Sequence, residues 1–120
     1  MHGMFAWNEL ATGDVDAALR FYGEVLGWTF ARFDLPEGAY WVARSGDVVV
    51  GGIGTLATSA DPASRVSAWT AFVRVEDIDR RFARALELGA SPVQAPHDVP
   101  NVGRVAVLRD PVGALLGWLE

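Results

Sequence analysis

The chain has 120 residues, about one domain's worth. With 51% hydrophobic and 21% charged residues, its composition is that of a globular protein and not of a disordered one. A formal charge of −5 gives no basic footprint for nucleic acid, and the absence of cysteine removes disulfides and thiolate chemistry. No apolar run approaches the roughly 20 residues that span a bilayer. The opening "MHGMFAWNEL" lacks a basic segment followed by a long apolar one, so the expectation is a cytoplasmic protein without a membrane partner.

In chain order, "FAWNEL" (5–10) alternates as a strand and puts Phe5, Trp7 and Glu9 on one parity. Asp14 then stands where a carboxylate caps a helix. Val15, Ala18, Leu19, Tyr22 and Leu26 follow at helical spacing, and Gly27 sits at a left-handed cap position. Three strand-like stretches come next, 28–35, 39–46 and 47–55, with "RSGD" as a hairpin turn between the last two. In 39–46, either Tyr40 or Trp41 shares the parity that faces away from the helix. "GGIGT" (51–55) reads as a strand with a close backbone approach or bulge; no lysine follows it, as a phosphate-cradling loop would require.

The segment 57–67, "ATSADPASRVS", is small, polar and proline-containing, and reads as a linker. The pattern then repeats. The strand that opens "TAFVRVEDIDRRFARALELGA" (70–90) leads to Asp77, which stands 63 residues after Asp14 as a second helix cap. Ile78, Phe82 and Ala85 share one helix face, and Gly89 ends it. Strands at 91–96, 104–110 and 113–120 follow, the last two joined by the "DPVG" turn. The expected fold is α+β, residues 1–120 being a single domain. Two βαβββ modules, about 4–56 and about 68–120, would form one curved, mostly antiparallel eight-stranded sheet with the helices on its outer face.

This arrangement resembles the vicinal oxygen chelate superfamily of glyoxalase I, extradiol dioxygenases and bleomycin-resistance proteins. "DVDAALRFYGEVLGW" is similar to that superfamily's first helix and "RDPVGALLGWLE" to its final hairpin. "WNELATGD" together with "VPNVGRVAVLRDPVGA" looks most like its bacterial glyoxalase-like members of unassigned activity. The resemblance implies a divalent metal held by His, Gln or Glu on the first and last strands of each module. Placed by spacing from the two capping aspartates and the D-P-x-G turn, those positions hold Trp7, Thr70 and Gly117, with a fourth near Gly51 and Gly52. Such residues give no donor set for a metal. The two histidines fall outside the pattern, His2 at the terminus and His97 in the loop "APHDVPN". The expectation is therefore no metal and no cofactor.

The resemblance also implies that the ligand position faces a concave surface. Strand parity then assigns Phe5, Trp7, Glu9, Thr70, Phe72, Arg74, Leu115, Gly117 and Leu119 to a small-molecule cleft. The space that Gly117 vacates would be filled by the Trp7 indole or by a ligand. Glu9 is the candidate acid/base or ligand anchor, or else it pairs with Arg74, Arg104 or Arg109 or sits at the solvated mouth of the cleft. Trp69 and Trp118, on the opposite parity, belong to helix–sheet packing or to a dimer surface.

Three readings follow. The first is metal-independent binding of a hydrophobic or aromatic small molecule. The second is a lyase- or isomerase-type enzyme using Glu9, with or without a divalent metal. The third is a non-catalytic dimer with a collapsed cleft. Open sheet edges and a mean hydropathy of +0.19 point to a homodimer.

Overall fold

A computed structural model describes all residues, 1–120. The fold is α+β, with eight strands in mixed, mostly antiparallel pairing and two α-helices. The chain divides into two compact units, residues 8–69 and residues 1–7 with 70–120. The first seven residues thus go with the second half of the chain, for a local reason. Gly3 N–H donates to the Arg74 carbonyl at 2.7 Å, and Arg74 N–H donates to the Met4 carbonyl at 2.8 Å.

In the unit of residues 8–69, strand β1 (Phe5–Thr12) runs parallel to β4 (Val48–Thr55). The antiparallel ladders β4–β3 (Gly38–Ser45) and β3–β2 (Thr29–Leu35) extend from there. Helix α1 (Val15–Leu26) begins as expected, with Asp14 Oδ1 accepting from Ala17 N–H at 3.1 Å. It ends at Gly27, whose φ of 71° is the left-handed conformation that favours glycine. Leu10, Ala43 and Ile53 are buried, and Phe30, in register with Ala43, lies beside Gly23 of α1. Leu26, assigned by periodicity to the packed face of α1, is instead 51% exposed. Tyr22 stacks on Trp28 at 5.4 Å and accepts a hydrogen bond from Trp69 Nε1 at 3.0 Å, which puts Trp69 in helix packing. A short 3-10 turn, Leu56–Thr58, follows β4.

In the other unit, β5 (Ala68–Arg74) runs parallel to β8 (Leu115–Leu119). β8 pairs antiparallel with β7 (Gly103–Arg109), and β7 with β6 (Ser91–Val99). Helix α2 (Ile78–Glu87) buries Ile78 and Phe82 against Val75, Ala106 and Leu108, with Trp118 edge-on to Phe82 at 6.4 Å. Full burial of each such side chain contributes about 1.5–3 kcal/mol.

Two expectations are corrected here. Asp77 does not cap α2 through its side chain. It adopts a left-handed φ of 58°, its N–H donates to Glu120 Oε2 at 2.8 Å, and its carboxylate turns to Arg80. His97 lies within β6 and not in a loop; its Nδ1 stands 2.9 Å from the Ala95 carbonyl. Irregularities in register at Pro92/Gln94 and Gln94/His97 accommodate the extra residues of this proline-bearing strand.

Candidate functional site

The parallel register of β1 and β4 sets Glu9 beside Gly52, and β3 sets Tyr40 beside Gly54. Tyr40, Glu9, Gly52 and Gly54 therefore share one face of their unit. It is the face opposite Ala43, Ile53 and α1, because side chains alternate along a strand. The Tyr40 ring runs along β4 over both glycines. A Cβ built on Gly52 would overlap the Tyr40 hydroxyl; one on Gly54 would overlap Thr58 Oγ1 and stand 3.1 Å from the Tyr40 ring. From there the phenol donates to Glu9 Oε2 at 2.9 Å in a half-buried setting. A hydrogen bond to a carboxylate is charge-assisted and stronger than one between neutral groups. Trp41, the other candidate of its pair, lies on the helix side, with the Arg32 guanidinium 5.5 Å from its ring centroid.

The second half repeats the register with different chemistry. Phe72 is the β5 partner of Gly117 on β8, as Glu9 is the β1 partner of Gly52 on β4. The Phe72 ring fills the place of the missing Gly117 side chain, so that space is taken neither by the Trp7 indole nor left open. Phe72 is 7% exposed, and Val107, opposite Gly117 on β7, is buried.

The remaining assigned residues are dispersed in exposure. Thr70 is buried; Trp7, Leu115 and Leu119 are half-buried; Arg74 is exposed; Phe5 is 70% exposed. Arg104, one of three arginines considered for Glu9, forms a bidentate pair with Asp79 at 2.8 Å and reaches Asp98 at 3.1 Å. Hydrogen bonding to Arg104 holds the Asp79 carboxyl below the usual carboxylate range. Arg109 Nη1 donates to the Gly113 carbonyl. An open depression at the β6–β7 turn, bordered by Asp98 to Arg104, contains none of the assigned residues.

The site residues do not fit a metal. No group of three His, Cys, Asp or Glu side chains converges anywhere in the chain. Two of the ligand-equivalent positions are glycines covered by aromatic side chains. His2, the first histidine, is tied down by Glu76 N–H, which donates to its Nδ1 at 3.0 Å.

The importance of Tyr40 was only half visible in the sequence. Gly52 and Gly54, two apart on a strand, signal a furrow that neighbouring side chains fill, Tyr40 at Gly52 and Thr58 at Gly54. Which side chain fills it at Gly52 depends on the register of β3.

Fold and sequence together define the family. The model of the Glyoxalase/Bleomycin resistance protein/Dioxygenase superfamily matches residues 4–117, and the chain belongs to that superfamily. It is 37% identical over 119 residues to CFP32 of Mycobacterium bovis and Mycobacterium tuberculosis, a protein whose glyoxylase name is provisional; the match covers 98% of the chain and 44% of CFP32. It is 28% identical over 123 residues to the anthracycline biosynthesis protein DnrV of Streptomyces peucetius, covering 93% of the chain and 45% of DnrV. The chain thus spans less than half the length of these curated relatives. Methylmalonyl-CoA epimerase from Mycobacterium tuberculosis shares the fold, with a TM-score of 0.62 at 16% identity over 98% of this chain and 87% of that one.

Proposed function

We propose that this protein binds a small hydrophobic or aromatic molecule without a metal, on the sheet face that carries Glu9, Tyr40 and Gly52. The observation that carries the reading is the Tyr40–Glu9 hydrogen bond over Gly52. It combines an aromatic surface, a glycine furrow and one carboxylate, which is the mixture of apolar wall and few polar groups that fixes a ligand's orientation. Phe5, Trp7, Thr70, Phe72, Arg74, Leu115, Gly117 and Leu119, all in the other unit, are the ligand-facing residues that strand parity proposes there, with Phe72 already seated on Gly117. The absence of a converging donor set supports a site without a metal.

A second reading draws on the same pair. A carboxylate hydrogen-bonded to a phenol is a proton acceptor beside a proton donor, the minimum for acid–base chemistry on a bound substrate. The provisional glyoxylase name of CFP32 favours this reading of Glu9 as an isomerase- or lyase-type acid/base. A homodimer belongs to either reading. Phe21, Val25 and Leu26 of α1 are 56%, 62% and 51% exposed, and such apolar side chains gathered on one helix suit a subunit contact. No helix is long and apolar enough to cross a membrane.

Native mass spectrometry of the protein purified from its own host tests the two readings. A co-purified organic molecule without metal supports the binder. A stoichiometric metal overturns it in favour of the enzyme, and an empty protein overturns the binder in favour of a collapsed dimer.

A further inference from the structure

We infer that Tyr40 is a displaceable plug in a slot shaped for a planar ring bearing a hydroxyl group. The inference deepens the binding function proposed above and rests on it. The slot floor is Gly52, where the Tyr40 phenol stands in the place of a side chain; at Gly54, two residues on along the same face of β4, Thr58 Oγ1 takes that place and the Tyr40 ring lies alongside, 3.1 Å from it. The slot's polar end is Glu9, in register with Gly52, whose Oε2 accepts the phenol hydrogen bond at 2.9 Å. Tyr40 itself therefore displays the chemistry the slot recognises: a flat apolar ring lying on backbone, with a neutral O–H donor aimed at a carboxylate.

The other half of the chain shows what a permanent filling looks like. There the register partner of the glycine is Phe72, an apolar ring that is 7% exposed and meets no carboxylate. The Tyr40 slot differs in both respects. Tyr40 and Glu9 are each only half-buried, and the contact that ends the slot is polar. Leaving costs the half-buried tyrosine at least its hydrogen bond to the carboxylate and its ring contact with Gly52, its hydroxyl taking water instead. A free phenol entering behind it recovers the same hydrogen bond and the same stacking on glycine backbone.

The test uses 4-methylphenol, which is the tyrosine side chain as a free molecule, and toluene, which is the same ring without the hydroxyl. Calorimetric titration of Tyr40→Ala should show saturable binding of 4-methylphenol at least about tenfold tighter than in the unsubstituted protein. It should also exceed toluene by about tenfold, the range expected for a hydrogen bond to a charged group. Adding Glu9→Leu to Tyr40→Ala should abolish the preference for the phenol over toluene. A folded Tyr40→Ala that binds 4-methylphenol no better than the unsubstituted protein, or binds both probes equally, overturns the inference.

If Tyr40→Ala does not fold, millimolar 4-methylphenol is added to the unsubstituted protein. The nuclear Overhauser contacts of the Tyr40 ring with Gly52 and Gly54 should then disappear, and their persistence overturns the inference. The two proposals fail separately. A native ligand with no phenol preference in Tyr40→Ala removes the slot alone; a phenol-selective slot in a protein that carries no ligand in its host removes only the binding function.

Discussion

Tyr40 and Glu9 lie 31 residues apart in the chain and meet directly over Gly52, the phenol donating to Oε2 at 2.9 Å. Tyr40→Phe keeps the ring over the glycines and deletes only the donor. It should cost about 1–2 kcal/mol, the usual range for a hydrogen bond to a charged group that is partly exposed. Glu9→Gln keeps an acceptor oxygen and should cost less. Urea denaturation of both single variants and the double variant gives the coupling, expected at about 0.5–2 kcal/mol. Strict additivity would show that the contact does not hold the carboxylate.

The two register glycines should respond differently to a methyl group. At Gly117 a Cβ meets the Phe72 ring, which is buried and has no room to retreat, so Gly117→Ala should destabilise by about 1–3 kcal/mol. Phe72→Leu should restore part of the loss. At Gly52 the obstacle is the hydroxyl end of Tyr40, which can swing aside. Gly52→Ala should therefore cost less than Gly117→Ala, about the 1–2 kcal/mol of the Tyr40–Glu9 hydrogen bond that the swing breaks, offset in part by the stiffer unfolded chain. Thermal denaturation of the three variants decides this, and equal losses at both glycines would refute it.

Asp79 is held below the ordinary carboxylate range by the hydrogen bonds from Arg104, and Arg104 in turn is held more firmly protonated. The folded protein thus takes up the Asp79 proton at lower pH than the unfolded chain does. The resulting stability is fully present above the unfolded value of about 4 and is lost as pH falls through the lower folded value. Asp79→Asn should be less stable than the unsubstituted protein at pH 6, and the gap should close between about pH 4 and pH 2. Denaturant curves across that range test it; a gap independent of pH would contradict the assignment.

Nickel, zinc, manganese or iron(II) should leave the melting temperature unchanged, because Trp7, Thr70, Gly52 and Gly117 offer no converging donors. A folded-state site would raise it through mass action. A saturable rise of several degrees that a chelator removes would overturn the proposal of a metal-independent site.

Light scattering at micromolar concentration should return about twice the 12.9 kDa chain mass. Replacing Phe21 and Val25 by serine should shift the protein towards the single-chain mass without unfolding it, since both side chains are more than half exposed. A single-chain mass for the unsubstituted protein would refute the dimer.

What the amino-acid sequence determined by itself was everything governed by near neighbours. The spacing of Ile78, Phe82 and Ala85 specifies a helix face that the fold indeed packs. Gly27 takes its left-handed cap, and the Asp110 carboxylate closes the "DPVG" turn by accepting from Val112 and Ala114 N–H. Duplicated order and turn chemistry were enough to reach the superfamily, because each signal spans a few residues and reports on its own backbone. Spacing alone erred where a distant partner intervened, as at Asp77, whose backbone is drawn to Glu120, 43 residues away.

The site was legible only as a parity. Alternation places Glu9 on one face of β1, but the residue it meets there depends on the parallel register with β4 and the antiparallel register of β3. One slipped residue in either would put a different side chain over Gly52. The same holds for Phe72 on Gly117, joined across 45 residues by pairing that leaves no local trace. Tertiary structure alone decided which ring fills each glycine, because register is set by the whole sheet and not by the residues that meet in it.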